Sequence, residues 1–330
     1  MTEYQEAKYY SVDQDKQLKC ELCPHHCIIK EDKTGICKVR KNIKGELKSL
    51  NYGKVSALGV DPIEKKPLYH FHPAKKVLSI GSYGCNMSCS YCQNWQISQQ
   101  KPPLKDYSPQ AIINTAQKKE LDLIAYTYSE PTVFYEFMLD TAKLASKKGI
   151  KNILVSNGFI EEEPLKELTP YLAAANIDLK SFQDHFYKKH CQGGLDTVKK
   201  TIRYLADKIH LEVTTLVISD LNDDLDELQK IFNFLAEIDQ DIPLHLSRYY
   251  PAYKLDNPAT DLNLMEKAYQ LAKKDLNNVY LGNVNLENSR DSFCSNCGDK
   301  VIKRSGYGVI KNYEAGFCKN CGSKIYGEFE

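Results

Sequence analysis

Val77-Leu-Ser-Ile-Gly-Ser-Tyr-Gly84 runs directly into Cys85-Asn-Met-Ser-Cys89-Ser-Tyr-Cys92. The first part is a short apolar run closed by glycines, the mark of a buried strand, and the second is a loop carrying three thiols. Working outward, apolar runs of the same kind recur at 121–126, 153–155, 174–179, 211–218 and 242–246. Helical patterns lie between them. Ser108-Pro109 reads as an N-cap with proline at the first helical position, opening a helix through Lys119. Phe134, Phe137, Met138, Thr141 and Ala145 keep helical spacing. So do Leu225, Leu228, Ile231, Phe232 and Leu235, and then Met265, Ala268, Leu271 and Ala272. Strand and helix alternating about six times over ~200 residues predict an α/β fold with a parallel sheet, either doubly wound or curled into a full or partial barrel. In both, chemistry belongs at the C-terminal ends of the strands. The flanks 1–75 and 285–330 lack this alternation and read as appended Cys-rich modules around a body at 76–284.

The 330 residues carry 44 Lys and Arg against 43 Asp and Glu, a net charge of +1, so no global field draws nucleic acid or an anionic membrane. Only five of the basic residues are arginine, which weakens an arginine-rich polynucleotide-reading surface. No run approaches the ~18 apolar residues of a membrane span. The opening MTEYQEAKYYSVDQDK is too polar for an export signal. A cytoplasmic protein is therefore expected, and its twelve cysteines are expected to bind metal rather than pair as disulfides. Eleven fall into three groups: Cys20, Cys23, Cys27 and Cys37; Cys85, Cys89 and Cys92; and Cys294, Cys297, Cys318 and Cys321. Cys191 stands alone.

The middle group is the incomplete one. Three thiolates on one short loop suit three irons of a cubane 4Fe-4S cluster and leave the fourth iron open to a small molecule. A structural zinc site would use four ligands. A C-x3-C-x2-C loop after the first strand, with Tyr91 before its last cysteine, resembles the radical S-adenosylmethionine (SAM) superfamily. That resemblance implies that the methionine moiety of SAM chelates the open iron. It also implies that one-electron reduction yields a 5′-deoxyadenosyl radical, which takes a hydrogen atom from the substrate. Cys92-Gln93-Asn94 resembles the Cys-His-Asn of glycyl-radical activating enzymes, and Tyr91 and Asn94 are carried over as cofactor contacts. Tyr126-Thr-Tyr-Ser129-Glu130-Pro131 stands where the superfamily carries Gly-Gly-Glu-Pro, so Glu130 inherits the methionine amino group while Tyr128 and Ser129 replace the glycines.

More narrowly, Asp61-Pro-Ile-Glu-Lys-Lys-Pro67, the 84–98 loop, Asn176-Ile-Asp-Leu-Lys180, Leu211-Glu-Val-Thr-Thr215 and His245-Leu-Ser-Arg248-Tyr-Tyr-Pro251 are similar to the radical enzyme of the AmmeMemoRadiSam system, a group like the pyruvate formate-lyase activase. The similarity covers essentially the whole chain. It implies a partial (β/α)6 TIM-like barrel and an electron donor of the flavodoxin or ferredoxin type but does not supply the substrate; activase likeness favours removal of hydrogen from a protein residue such as a glycine. Modification of RNA or a small metabolite is the alternative, and a non-enzymatic iron-sulfur or zinc scaffold a more distant one.

Several polar positions carry two readings each. Asp178 and Lys180, two apart at a strand end, share one face and form either an ion pair or, by activase likeness, a contact to cofactor or peptide. Ser156 and Asn157 precede Gly158 and either bind the methionine carboxylate or ribose or form a plain Asn-Gly turn. His245 and Arg248 follow a buried-looking strand; the arginine could clamp a carboxylate or phosphate, or sit in a salt bridge at the core edge. Glu212 and Thr214 alternate toward the barrel interior. The charges at 61–66 read by themselves as a solvated loop, and by resemblance as a lid or partner contact.

Cys294-Ser-Asn-Cys297-Gly and Cys318-Lys-Asn-Cys321-Gly form paired knuckles with the spacing of a zinc ribbon, a closed structural site that could also dock nucleic acid or protein. The N-terminal quartet, with His25 and His26 as spare donors, is read as zinc first and as an auxiliary 4Fe-4S cluster second. Cys191 is read as an inert thiol, with hydrogen-atom donation the sharper alternative.

Overall fold

The computed structural model describes residues 4–12, 17–306 and 308–329. Its largest sheet has eight strands: β1 (Ala57–Pro62), β2 (Lys76–Gly81), β3 (Leu123–Tyr126), β4 (Lys151–Ser156), β5 (Leu172–Asp178), β6 (His210–Val217), β7 (Leu244–Arg248) and β8 (Val279–Gly282). They lie side by side in chain order, parallel from β2 to β8, with β1 antiparallel on the outer edge of β2. A doubly wound sheet reverses its strand order at a switch point. This one never does, which decides for the barrel. Its last strand, β8, does not pair with β1, so the barrel stays open.

All six expected strands form, and two more join them. Val279–Gly282 is a seventh parallel strand, too short and too close to the C-terminal module to stand out by pattern. Ala57–Pro62 comes from the flank read as an appended module. Half-exposed along its length and ended by Pro62, it is an edge strand without the alternation that would betray it.

The helices behave as their periodicity predicts. Ser108 caps the helix Pro109–Lys118, its Oγ accepting from Ala111 N at 3.2 Å. Tyr135–Lys147, Leu225–Ile238 and Leu262–Ala272 bury the faces that carry Phe137, Leu228 and Met265 against the sheet. Along β3 the faces alternate: Ile124 and Tyr126 join the helix-side core, while Leu123 and Ala125 meet Ile63, Leu68 and Phe71 inside the curl. Residues 63–71 thus plug the N-terminal end of the barrel.

The C-terminal flank is tied to that end. Glu328 bridges Phe71, its N–H donating to His70 O at 2.8 Å and its carbonyl accepting from His72 N at 2.7 Å, and Arg304 Nη2 donates to Tyr69 O at 2.7 Å. The C-terminal module is a three-stranded antiparallel sheet, Ser292–Phe293, Lys300–Ser305 and Gly308–Lys311, followed by the knuckle hairpin. The N-terminal module packs on the other end through Arg40, which pairs in the interior with Glu136 of the helix Tyr135–Lys147. No described helix is long and apolar enough to cross a membrane.

Candidate active site

At the C-terminal ends of the strands the barrel opens into a cavity of about 430 Å³. The loop after β2 brings Cys85, Cys89 and Cys92 to one wall. This loop is braced from behind: Ser88 N and Ser90 N donate to the carbonyls of Cys191 and His190, at 2.8 and 2.9 Å, at the end of a wide helical turn, Tyr187–Cys191. Tyr91 OH lies 3.1 Å from Cys191 Sγ, and both are buried. Cys191 therefore belongs to the brace and does not line the cavity.

Glu130, Ser156 and Asn157 come together in a way their separation in sequence hides. The buried Glu130 carboxylate caps the turn Pro131–Phe134, with Oε1 accepting from Thr132 N at 3.0 Å, Thr132 Oγ1 at 2.8 Å and Ser156 Oγ at 2.7 Å. Oε2 accepts from Asn157 N at 2.9 Å. Burial pushes the Glu130 pKa up, against the pull of those donors. A carboxylate offers about four acceptor directions, so Oε2, with its one donor, keeps acceptor capacity, and Glu130 lines the cavity. Asn157 Nδ2 bridges onward to Asn86 Oδ1 at 2.9 Å and Cys85 Sγ at 3.8 Å. Gly158 takes φ +69°, and a Cβ there would meet Ile177 Cγ2 at 2.9 Å. The Asn-Gly turn and the site contact are one structure.

Lys180 Nζ donates to Asp178 Oδ2 at 2.8 Å. Burial works against the lysine charge, but Asp178 and the thiols of Cys89 and Cys191 outweigh it and raise its pKa well above the usual value. In return Lys180 favours the thiolate forms of Cys89 and Cys92, whose pKa values stay raised, Cys89 by its hydrogen bond with Cys191 and by burial, Cys92 by burial. Metal ligation needs those thiolates.

A second acid-base pair lines the same cavity. Asp61 accepts from Lys66 Nζ at 2.8 Å and from Tyr128 OH at 2.5 Å, and the Lys66 ammonium lies 4.4 Å from the Tyr128 ring centroid. Lys66 is buried and Asp61 and Lys66 form cavity wall, so this stretch is not the solvated loop its charges suggest. Tyr128 holds φ +69°, the left-handed conformation a glycine takes without strain. The backbone at this position thus takes a glycine-like conformation although the residue is tyrosine.

Tyr91, Asn94 and Thr214 also line this cavity; His245 and Arg248 do not. His245 Nε2 donates to the buried Glu212 at 2.6 Å, one step deeper on the face where Ser247 reaches the cavity. Arg248, of opposite parity, turns outward, bonding Thr260 O at 2.7 Å and Tyr250 OH at 3.0 Å. Both line a neighbouring trough of about 690 Å³ that shares Lys65, Pro67, Ser247 and Asn283 with the main cavity. A polar strand residue attracts notice in a sequence, whereas Ser247 is recognisable only from strand parity.

Among the described residues, the C-terminal quartet is the one group of His, Cys, Asp or Glu whose ligand atoms all lie within 4.8 Å of one another. The Cys85 loop is not drawn together on that single-ion scale. Three thiols spaced more widely along one cavity wall fit a cubane, in which each thiolate sits on its own iron.

A model of the radical SAM superfamily matches residues 79–235, the stretch from β2 into the helix Leu225–Ile238. An uncharacterized protein of Methanocaldococcus jannaschii is 45% identical over 307 residues, 91% of each chain. The chain belongs to the radical SAM superfamily. A protein named as a glycyl-radical enzyme activating enzyme in the same organism is 28% identical over 212 residues, 61% of this chain and 79% of its own. SuiB of Streptococcus suis, solved with SAM bound, shares the fold at a TM-score of 0.51 and 13% identity, covering 71% of this radical SAM chain and 56% of its own. Membership makes a 4Fe-4S cluster and SAM the cofactors to expect of this radical SAM protein.

Proposed function

We propose that the chain is an activase-like radical SAM enzyme in which Cys85, Cys89 and Cys92 ligate the catalytic 4Fe-4S cluster. The observation that carries this reading is the cavity that gathers three loop thiols, the buried Glu130 carboxylate and the Asp178–Lys180 ion pair at the strand ends. When bound, the cluster supplies one electron to SAM, giving methionine and the 5′-deoxyadenosyl radical that takes a substrate hydrogen. Glu130 Oε2 holds the methionine ammonium, and the charge it gains there offsets the cost of its burial. Asn157 and Ser156 fix Glu130 in place. Lys180, positioned by Asp178, favours the thiolate forms of Cys89 and Cys92. Tyr91 and Asn94 flank the cofactor, and the apolar Val155 and Leu216 exclude water from it. The trough beside Arg248 admits the substrate from the open side of the barrel.

The substrate class follows from the relatives named as glycyl-radical enzyme activating enzymes, which support a protein glycine as the hydrogen donor. A flavodoxin- or ferredoxin-type carrier delivers the electron. The C-terminal quartet is a structural zinc site. Its sulfur pairs at 3.6 Å (Cys294 and Cys321) and 3.8 Å (Cys297 and Cys318) match the ~3.8 Å that four thiolates make around one ion at ~2.3 Å. Label transfer tests the substrate reading. Candidate partner proteins made with deuterated glycine are expected to give 5′-deoxyadenosine one mass unit heavier. Unlabelled product from every glycine-deuterated partner, with label arriving from a deuterated RNA or metabolite pool, contradicts it.

A further inference from the structure

The four N-terminal cysteines do not behave like the four C-terminal ones. Cys294, Cys297, Cys318 and Cys321 close to within 4.8 Å of one another, but no three of Cys20, Cys23, Cys27 and Cys37 do. The segment is not loose: Cys20 N donates to Cys27 O at 3.0 Å, and Leu18–Cys20 pairs with both Tyr10–Val12 and Ile28–Ile29. All four cysteines line one small cavity, whose other walls are mainly apolar, with Leu22, Ile29, Ile36 and Val133. Tetrahedral zinc needs its thiolates in contact around a point. Thiolates standing apart around a dry space are what a cubane uses, and the Cys85 loop shows the same wider spacing. We propose that Cys20, Cys23, Cys27 and Cys37 hold a second 4Fe-4S cluster, not zinc, placed to pass electrons to the cluster of the Cys85 loop.

Two further features fit an anionic four-thiolate centre, while the wider sulfur spacing is what separates the cluster from zinc. Arg40, 1% exposed, lines this cavity, with Nη1 3.8 Å from Cys20 Sγ. Its Nε is buried and has no hydrogen-bond partner in the described structure, a donor left for a sulfide or thiolate of the cluster. His25, the nearest spare ligand, is already engaged with Asn86 O at 2.7 Å, so the donor set is the four thiolates.

The position supplies the role, which rests on the proposed function; the metal content does not. Gly84, at φ +92°, lies so close under this module that a Cβ there would meet Cys37 O at 2.8 Å. Asn86 lines the N-terminal cavity, is the chain neighbour of Cys85, and bonds Asn157 Nδ2. An external one-electron carrier would reduce the N-terminal cluster. That cluster would then hand the electron to the catalytic one and return to its oxidised state, with no bond or proton moved.

The test uses the full chain, purified and reconstituted without oxygen. In the variant Cys85→Ala/Cys89→Ala/Cys92→Ala, about four irons and about one zinc per chain are expected, with an electron paramagnetic resonance signal after dithionite. About two zincs and no iron in that variant overturns the proposal. Should the variant not fold, the wild-type count decides: about eight irons with one zinc supports the second cluster, and four irons with two zincs overturns it. Four irons present in wild type and retained in the variant would keep this proposal and sink the reading of the Cys85 loop. In fully reduced wild type, two neighbouring clusters are expected to broaden each other's signals. A spectrum equal to the sum of two isolated clusters overturns the relay.

Discussion

Glu130 illustrates how much one side chain is asked to do. It caps a turn, locks Ser156 and Asn157 of the neighbouring strand end, and in the proposed function receives an ammonium on Oε2. Glu130→Gln keeps the shape but removes the charge. A hydrogen bond to a charged group is worth roughly 1.5–3 kcal/mol, so SAM should bind roughly ten- to a hundredfold more weakly, as read by equilibrium dialysis on the reconstituted protein. Unchanged affinity would contradict the assignment of the methionine amino group. Gly158→Ala addresses the same turn from the backbone. The left-handed φ and the contact with Ile177 predict a loss of about 1–3 kcal/mol in urea unfolding, and no loss would mean the turn is not held as described. Cys85, Cys89, Cys92, Glu130 and the Asp178 and Lys180 pair were legible because motif spacing and strand-end parity both mark them. The union of Glu130 with Ser156 and Asn157 was not, since a hydrogen bond between adjacent strands leaves no trace in either local pattern. Tyr128 is a related case: its residue type argued against the glycine-like conformation that its backbone takes.

Strands β2 to β7 could be read because fully buried parallel strands are short apolar runs separated by helical periods. The edge strand β1 and the short β8 lack that signature, and so the barrel is wider than its sequence pattern suggests. The same strands hide a buried polar node. Glu212 on β6, wholly buried, accepts from Tyr69 N at 2.9 Å, His70 N at 2.7 Å, His210 Nε2 at 3.0 Å and His245 Nε2 at 2.6 Å. Burial alone would raise its pKa, but the hydrogen bonds from His210 and His245 outweigh it and hold the carboxyl far below its ordinary 4.5. A depressed folded-state pKa stabilises above the unfolded value and loses that contribution as pH falls toward the folded one. Glu212→Gln, which leaves the plug backbone and both histidines without their acceptor charge, should therefore cost roughly 3–5 kcal/mol at neutral pH. The gap to wild type should narrow as pH falls below about 4.5. Denaturant titrations at several pH values check this, and a gap that stays constant would mean that Glu212 is not the titrating node. His245 thus serves the plug, on the barrel side of the cavity-lining Ser247.

At the scale of the molecule, both flanks grip the barrel instead of hanging from it. The 63–71 plug, Arg304 on Tyr69 and the pairing of Glu328 with Lys151 tie the C-terminal module to the closed end. Cys318→Ala, which opens the proposed zinc site, should lower a single melting transition by on the order of 5 °C, since each kcal/mol shifts a domain of this size by ~2–4 °C. An independent low-temperature transition with the main one unmoved would contradict the coupling. The N-terminal module grips the open end beside the catalytic loop. The partition of twelve cysteines was readable from spacing alone, but which quartet suits which metal depends on distances between sulfurs, which spacing does not encode.

The central claim is that three cysteines hold a cluster whose open iron takes SAM. Reconstituted anaerobically and given dithionite and SAM, the wild-type chain is predicted to release 5′-deoxyadenosine, detected by liquid chromatography, while Cys89→Ala releases none. Equal amounts from the two proteins, or none from wild type with its iron in place, would contradict the account.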